Sequence, residues 1–474
     1  MNTDSSQSKP LQIGWACVDI TPDQPVNLHG QHFARVSEGV LDPVTATALA
    51  LAPGEDTAHA LILVSCDLCS IARTLRDAVR DRVTAACPEL TSESIVLNAT
   101  HTHAAPTAFV PEDLVERNGA VFPVEEIRLP VMAPAVYIDW AAERIAGAAV
   151  KAWRERAPGA IGYALGQAVV GRNRRVAFED GNSSMYGDTA TPRFRHVEGY
   201  EDHDLNLLGI WDAEGTLTGL VVNVACPSQV NGSIFEISAD YWHDVRLELR
   251  RRLGPGLFVL PQCSTAGDQS PRRLWATAAE TRMQRLSGRT MRQEIAHRIA
   301  DAVEAVLPYA AAERRKHIRL SHHAETVALT RWNVSESEVR QADDEAGPYR
   351  VEYERLLAEL ESNPEKREEP RWYVPVTRAF RRWRFFAGVR LRFESERVRS
   401  PLPVELHVIR LGDVAIATNP FECYLDYGVR IKARSPAVQT FLVQLAGAGS
   451  YLPTARSVSG SGYGSAPSSS VVGP

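Results

Sequence analysis

The chain has 474 residues, of which 44% are hydrophobic and 23% are charged. This composition is that of a soluble globular protein with a large core, so disorder of the whole chain is excluded. The 52 basic and 58 acidic residues give a net charge of −6, which argues against nucleic acid as the main partner. No apolar run reaches the length of a transmembrane helix.

Residues 1–12 are mostly polar and predict a flexible N-terminus. They contain neither the basic nor the apolar segment of a signal peptide, so we expect a cytoplasmic protein, with secretion as the alternative. The seven cysteines, an odd number, are typical of a reducing compartment. Cys66 and Cys69 form a C-x-x-C pair at the end of an apolar segment, where buried core cysteines are a better interpretation than a redox motif.

Three parts of the chain repeat one pattern, in which a short apolar strand is followed by a helix and a second strand. This alternation predicts an α/β fold with a mostly parallel, twisted sheet and helices on both faces. An antiparallel hairpin is expected in addition at 205–226. In chain order, the strand, helix and strand segments are 59–66, 74–87 and 94–100; 217–226, 239–253 and 257–262; and 413–419, 422–433 and 438–446.

Polar and glycine-containing segments follow these predicted strands. In open α/β sheets, ligands bind at the carboxyl ends of the strands. We therefore expect the active site at this edge of the sheet. The segments that would form it are 101–106, 226–232, 263–271, 420–422 and 447–454.

A charged stretch from Glu336 to Glu369 is predicted to be helical, and residues 371–393 after it interleave arginines with aromatic side chains. We interpret this region, about 336–393, as a partly exposed insertion whose arginines pair with the acidic residues Glu359–Glu369. The alternative is a membrane or nucleic-acid surface. The Gly/Ser-rich tail at 457–474 is expected to be loop-like or loosely ordered.

Two histidines directly follow a predicted buried strand. In extended backbone, His101 and His103 would project to the same side and could both face one metal ion. The alternative is one hydrogen-bonded and one surface histidine. Glu422 is predicted to open a helix, where a carboxylate can simply favour the helix N-terminus. Because Glu422 and His101 are expected at the same sheet edge, the metal interpretation is favoured.

Ser270 lies in a loop, AGDQSP, that follows the strand at 257–262. Such a serine can be a nucleophile or an oxyanion donor, although loop serines are common. The sequence has no G-x-S-x-G elbow, which argues against an α/β-hydrolase triad. It also lacks an H-E-x-x-H, a P-loop and a G-x-G-x-x-G motif, so no nucleotide site is predicted.

The order of several short motifs resembles that of the neutral/alkaline non-lysosomal ceramidases. The resemblance extends from about Ile13 to Tyr463, and we take 13–456 as the catalytic domain. Members of that family are zinc amidases that split ceramide into sphingosine and a fatty acid. The motifs are DITP (19–22), VSCD (64–67), NATHTHAAP (98–106), ISAD (237–240), AGDQSP (266–271), PFE (420–422) and SYLPT (450–454).

The resemblance implies metal ligands and catalytic residues at matching positions. His101, Glu422 and Tyr451 would be ligands of a single Zn²⁺. The catalytic residues implied by it are His103 as a proton shuttle, Tyr463 as a second active-site tyrosine, Ser270 as the active-site serine, and Arg174 as an active-site arginine.

One zinc ligand of the family is missing from the sequence. Its second histidine aligns with Cys226, and a thiolate could bind zinc in its place. A second candidate is His203, because residues whose numbers sum to 429 would face each other if Asp212 opposes Leu217 in the predicted hairpin. His243 on the following helix is a weaker candidate.

The resemblance therefore implies a zinc-dependent amidohydrolase that cleaves the amide bond of a ceramide-like lipid. One alternative is a metal hydrolase of the same fold that acts on a small amide or ester. A second is a binding protein that kept the fold without catalysis. The expected partner is an N-acyl amine or ceramide-like substrate, with peripheral membrane contact but no transmembrane segment and no nucleic acid.

Overall fold

The computed structural model describes residues 10–54, 57–395 and 400–474. The first nine residues, which belong to the predicted flexible N-terminus, lie outside these ranges. None of the helices within them combines the length and the apolar character that a bilayer-spanning segment needs.

The described residues form 21 strands and ten α-helices. The strands are β1 (Leu11–Asp19), β2 (Gly39–Val40), β3 (Thr45–Pro53), β4 (Leu61–Cys66), β5 (Ile95–Ala99), β6 (Ala157–Gln167), β7 (Arg172–Asn173), β8 (Arg175–Phe178), β9 (Ser183–Met185), β10 (Phe194–Val197), β11 (Asp204–Asp212), β12 (Leu217–Val224), β13 (Glu236–Ile237), β14 (Phe258–Cys263), β15 (Gln269–Ser270), β16 (Leu320–Leu329), β17 (Leu402–Leu411), β18 (Val414–Thr418), β19 (Glu422–Cys423), β20 (Gln439–Val443) and β21 (Tyr451–Leu452). The helices are α1 (Arg73–Ala86), α2 (Pro111–Asn118), α3 (Pro134–Arg154), α4 (Tyr241–Leu253), α5 (Thr277–Ser287), α6 (Met291–Ala312), α7 (Glu336–Ser362), α8 (Tyr373–Glu394), α9 (Leu425–Arg434) and α10 (Ala455–Ser459).

An eight-stranded sheet and a four-stranded sheet form the centre of the molecule. The larger has the order β14-β12-β11-β6-β1-β3-β4-β5, and the smaller has the order β16-β17-β18-β20. All three predicted strand–helix–strand units are confirmed, because β4 and β5, β12 and β14, and β18 and β20 pair in parallel. The strand pairs between these units are antiparallel, so the larger sheet of this α/β fold contains both parallel and antiparallel pairs.

The two faces of the large sheet are covered differently. Along β3, Ala48 and Ala50 contact the core beneath α1 and α3, whereas Leu49 and Leu51 contact residues of the smaller sheet. Because side chains alternate along a strand, each strand contributes to both layers. Helices α4 and α6 cover the other half of the helical face. The other face of the large sheet is covered by the smaller sheet, to which the third unit belongs.

The predicted insertion is a hairpin of two long helices, α7 and α8. Tyr353 of α7 packs against Phe380 and Trp383 of α8, with ring centroids 5.1 and 6.1 Å apart. The arginines do not pair as expected, because Arg371 binds Glu38 and Arg381 binds Glu125. These carboxylates lie in earlier parts of the chain, so the ion pairs fasten the hairpin to the body of the protein.

The C-terminal tail is mostly loop, as predicted, but it is packed rather than loosely ordered. Val471 and Val472 are buried in a cluster with strand β17 and with Phe421. The backbone N–H of Trp332 donates to the carbonyl of Val471 at 2.9 Å. This packing fixes the segment that carries Tyr463.

Candidate active site

The site forms where strands of both sheets end. The N–H of Ala99, the last residue of β5, donates to the carbonyl of Leu445 just beyond β20 at 3.2 Å. The N–H of Gly267, beyond β14, donates to the carbonyl of Cys423 at 2.8 Å. These bonds hold the segments after β5, β14, β18 and β20 together at one edge, as the sequence predicted.

His101 and His103 face each other across a turn. Their rings lie 4.9 Å apart, centroid to centroid, with an interplanar angle of 78°. The two are not in extended backbone, because His101 has a φ of 68° in the left-handed region, which few residues other than glycine adopt. Gly30 packs on His103 so closely that a Cβ there would lie 2.4 Å from the ring.

The tautomer of His101 is set by a backbone carbonyl. Nδ1 lies 2.6 Å from the carbonyl oxygen of Cys69, and because a carbonyl only accepts, Nδ1 carries the proton. In the neutral imidazole the lone pair is then on Nε2, which is buried and has no hydrogen-bond partner. Nε2 lies 3.3 Å from Oε2 of Glu422. Two acceptors at this distance need a cation or a proton between them.

Glu422 and Tyr451 are placed side by side by backbone pairing. They are register partners in the parallel pair β19–β21. The Tyr451 hydroxyl accepts a hydrogen bond of 3.2 Å from Nη2 of Arg174, and the same Nη2 lies 3.8 Å from Oε2 of Glu422. Glu422 lies in a short strand, and α9 begins only at Leu425, so the predicted position at a helix N-terminus is wrong.

The charges of this group are strongly coupled. Burial opposes the charged form of Glu422, but His101 and Arg174 outweigh it and lower the pKa of the carboxyl. Burial also disfavours a charged imidazole at His101, yet Glu422 and Cys69 raise its pKa well above the usual value. Burial and the Glu422 carboxylate raise the pKa of Tyr451 well above 10. The Glu422 carboxylate is therefore the negative group of the site, and the His101 imidazole and the Arg174 guanidinium beside it are the positive or cation-binding groups.

A second hydrogen-bonded chain leads from Arg174 to Ser270. Nη1 of Arg174 donates to the Tyr186 hydroxyl at 3.0 Å, and this hydroxyl donates to Oγ of Ser270 at 3.3 Å. The N–H of Arg272 also donates to Oγ of Ser270, at 3.1 Å. Burial raises the pKa of Tyr186, but Arg174 outweighs it and the net shift is downward. Tyr186 was not identified from the sequence, because no motif marks it.

Gln229 connects the two parts of the site. Its side-chain amide donates to Nε2 of His103 at 2.9 Å, and its amide oxygen accepts from Nη1 of Arg174 at 3.3 Å. The chain therefore brings together six of the residues predicted from the sequence. They are His101, His103, Arg174, Ser270, Glu422 and Tyr451.

The structure does not bring His203 or Cys226 to this centre. The predicted hairpin register is confirmed from Leu205, which pairs with Val224, to Ile210, which pairs with Gly219. The expected pairing of Asp212 with Leu217 is wrong, because the register shifts after Ile210 and Trp211 opposes Leu217. Strand β11 begins only at Asp204. His203 lies outside the paired strand, and its Nε2 is 3.2 Å from a carboxylate oxygen of Glu201. The Sγ of Cys226 faces the carbonyls of Val170 and Pro227, in the core beneath α4. Neither position therefore supplies the missing histidine.

Cys69 is the cysteine that lies at the site. Its Sγ is 3.9 Å from Nδ1 of His101. Among the described residues, Cys69, His101 and His103 form a group whose possible ligand atoms all lie within 4.8 Å of one another. Burial opposes ionisation of this thiol, but the three nearby imidazoles outweigh it and lower its pKa well below the usual value.

Aromatic side chains lie next to the centre, on its more exposed side. The ring of Tyr463 lies 5.4 Å from that of Tyr451 and 5.8 Å from those of His32 and Phe385. Phe385 belongs to α8, so the helical insertion forms one wall of the site. Tyr463 remains 40% exposed, which places it between the buried centre and solvent.

The aspartates of the AGDQSP and ISAD motifs, Asp268 and Asp240, stabilise the loops around the site and are not among its proposed reacting groups. Asp268 accepts from the N–H of Leu425 at 3.0 Å and from the Asn173 amide at 2.8 Å, next to Glu422 and Arg174. Asp240 accepts from the N–H of Asn231 at 2.7 Å in the loop that carries Gln229. These buried carboxylates fix the loop geometry around the centre.

Two solved structures share the architecture of this chain. A structure described as ceramidase complexed with C2 matches with a TM-score of 0.65 at 15% sequence identity, covering 98% of this chain and 72% of that chain. The crystal structure of neutral ceramidase from Pseudomonas aeruginosa matches with the same TM-score and identity, covering 98% and 71%. This chain has the neutral ceramidase fold. The resemblance drawn from the sequence motifs is thus confirmed at the level of the neutral ceramidase fold.

No protein-family model matches the sequence, and no curated protein sequence matches it either. At 15% sequence identity, most side chains of this chain differ from those at the matching positions of the solved structure.

Proposed function

We propose that the protein is a zinc-dependent amidohydrolase that cleaves the N-acyl bond of a ceramide-like lipid. The observation that carries this proposal is the buried, partnerless Nε2 of His101, which lies 3.3 Å from the Glu422 carboxylate. The neutral ceramidase fold supports it, because the solved structures of that fold are named as ceramidases.

The donor set fits one divalent ion. Imidazole, carboxylate and phenol ligands from His101, Glu422 and Tyr451 would hold it, and three protein ligands with an open position are usual in catalytic zinc sites. The Cys69 carbonyl orients the imidazole, as hydrogen-bond acceptors behind metal-binding histidines generally do. A bound Zn²⁺ would polarise the amide carbonyl and lower the pKa of a water molecule.

The other residues have positions suited to proton movement and charge stabilisation. His103 lies beside His101, and its Nε2 accepts a hydrogen bond from Gln229, so the proton that it can pass to the leaving amine is the one on Nδ1. Ser270 either attacks the carbonyl or donates a hydrogen bond to the developing oxyanion. Tyr186 and Arg174 orient the Ser270 hydroxyl in both cases.

The test combines metal analysis with an amidase assay over N-acyl amines of increasing chain length. We expect one zinc ion per chain and activity that rises with acyl length, because the rings of Tyr463 and Phe385 next to the centre offer apolar contacts to an acyl chain. His101→Ala should lose both signals, whereas His323→Ala, an exposed histidine on β16, should lose neither. Metal without activity on any amide would indicate a binding protein, and preference for short amides or esters would indicate a small-substrate hydrolase.

A further inference from the structure

The smaller sheet has one face packed on the larger sheet and one outer face. Ile409 of β17 belongs to the core cluster between the two sheets, so its neighbour Val408 points to the outer face. Ala417 of β18 is the register partner of Val408 and shares this face. Helix α9 lies on the same face beside β20, since a Cβ on Gly428 would be 3.2 Å from the side chain of Leu442. The helix leaves the β17 side open, and Val408 is 53% exposed.

A cavity of about 820 Å³ lies between α9 and the open part of this face. Pockets that bind small molecules have volumes of about 300–1,000 Å³. Ala415 and Ala417 of β18 line the cavity, and their small side chains leave space that larger residues would fill. None of the described residues that line it belongs to the candidate active site. The cavity is therefore a separate place where a small molecule would fit.

The side of α9 that lines the cavity combines apolar and basic side chains. Its residues there are Tyr427, Arg430, Ile431 and Arg434. They follow the spacing i, i+3, i+4 and i+7, which in an amphipathic helix is the stripe that faces a core. In α9 this stripe is not covered in that way, because Ile431 is 43% exposed. An exposed apolar stripe beside an apolar sheet face is typical of a binding site.

The cavity also carries positive charge. Arg410 of β17 joins Arg430 and Arg434 in its lining, and within the described ranges none of the three forms an ion pair. Arg410 donates from Nε to the carbonyl of Gly412 at 2.8 Å, and Arg430 lies over the ring of Tyr427, 4.6 Å from its centroid. Neither contact supplies a negative charge, so the guanidinium groups have no carboxylate partner in the part of the chain that the structure describes.

The acidic residue of the lining does not change this balance. Asp413 is the one carboxylate among the described residues around the cavity, and it is bound by Arg315 at 2.7 Å. The cavity therefore offers apolar surface together with three unneutralised guanidinium groups. Apolar surface favours a hydrocarbon chain, and a guanidinium binds a carboxylate through two parallel hydrogen bonds.

We infer that this cavity binds a long-chain carboxylate. Its hydrocarbon chain would lie against Val408, Ala417 and Ile431, and its carboxylate would be bound by arginines of the lining. A neutral or cationic chain would bury the same apolar surface but would leave the guanidinium groups without a counter-charge. The inference goes beyond the proposed amidase function and does not depend on it, because binding here needs neither zinc nor hydrolysis.

The first test is calorimetry on the metal-depleted full chain with monomeric dodecanoate, dodecanol and dodecyltrimethylammonium. Dodecanoate should bind most tightly and the cation least. Arg434→Gln should weaken dodecanoate binding about three- to tenfold and leave dodecanol binding unchanged, because it removes a charge and no apolar surface. Equal affinities for dodecanoate and dodecanol in the wild type would overturn the inference.

A second variant tests the apolar part of the cavity. Ala417→Phe would occupy the space at the sheet face and should weaken the binding of both dodecanoate and dodecanol about tenfold or more. Arg340→Gln, an exposed arginine paired on α7, and Ala328→Phe, on β16 outside the cavity, are the matched controls and should change neither. Unchanged binding in folded Ala417→Phe would contradict the inference. If that variant unfolds, the Arg434→Gln comparison still decides.

A crystal structure with 12-bromododecanoate would locate the ligand. An anomalous bromine peak should lie between α9 and β17, whereas a peak only beside Tyr463 would assign the binding to the candidate active site and overturn the inference. Two other occupants of this surface are tested in parallel. Binding to anionic phosphatidylglycerol vesicles without binding of monomeric dodecanoate would indicate a membrane surface, and a dimer that Ala417→Phe dissociates would indicate a second copy of the chain. Either result would overturn the inference.

Discussion

Replacing Gly267 with alanine should displace Glu422. A Cβ at this position would lie 2.3 Å from the Glu422 carbonyl oxygen, whereas ordinary contacts begin at 3.4 Å. The backbone of Glu422 must therefore move by about 1 Å, and overpacking of this kind costs about 1–3 kcal/mol of stability. Metal sites tolerate ligand displacements of only about 0.2 Å. We expect zinc affinity to fall about 10- to 100-fold, as it does when groups that orient metal ligands are lost.

The assay is competition with a chromophoric zinc chelator, together with thermal unfolding of the metal-free protein. Gly256→Ala is the matched control, because a Cβ there meets nothing within 4 Å and its φ is not positive. If Gly267→Ala binds zinc as tightly as the wild type, then Glu422 is not a ligand or its position is not set by this contact.

Three further predictions concern stability, pH and the proposed chemistry. Asp67→Ala leaves Arg246 buried without its bidentate partner and should lower the free energy of unfolding by about 3–5 kcal/mol in urea, so a loss under 1 kcal/mol would contradict it. The pKa of His322 is lowered from 6.5 to about 4 by burial and by a neighbouring histidine, so the folded state binds fewer protons than the unfolded state between these values. Stability should therefore fall as the pH drops from 6.5 towards 4, and His322→Gln should flatten this dependence of Tm; an unchanged slope would refute the assignment. Tyr186→Phe removes the hydroxyl that donates to Ser270 and should lower kcat by about tenfold with little change in Tm. Full activity of this variant would show that the contact does not contribute to catalysis.

The local parts of the fold could be predicted from the sequence. The strand predicted at 59–66 is found at Leu61–Cys66, and the helix predicted at 74–87 is found at Arg73–Ala86. Apolar runs and helical periodicity define such elements, and each crossover forces its two strands to be parallel. What could not be predicted is which sheet the strands join. Ile409 and Leu49 belong to one core cluster between the sheets, yet nothing local in either segment specifies that packing.

The residues of the candidate site that lie in motifs could be predicted from the sequence. Residues whose place in the site depends on the direction of the side chain could not. His101, Glu422 and Tyr451 were identified by their motifs, and the structure brings them together. Cys226 was a candidate by alignment, but its side chain points into the core. Tyr186 was missed because its contact with Ser270 depends on its backbone conformation, with a φ of 57°, which no sequence pattern predicts.

The most direct test is a crystal structure of the zinc-loaded protein with anomalous scattering recorded on both sides of the zinc absorption edge. A single anomalous peak should lie about 2.0–2.2 Å from Nε2 of His101, from the Glu422 carboxylate and from the Tyr451 hydroxyl. A peak bound instead to Cys69 and His103, or no peak at these side chains, would contradict the proposed centre.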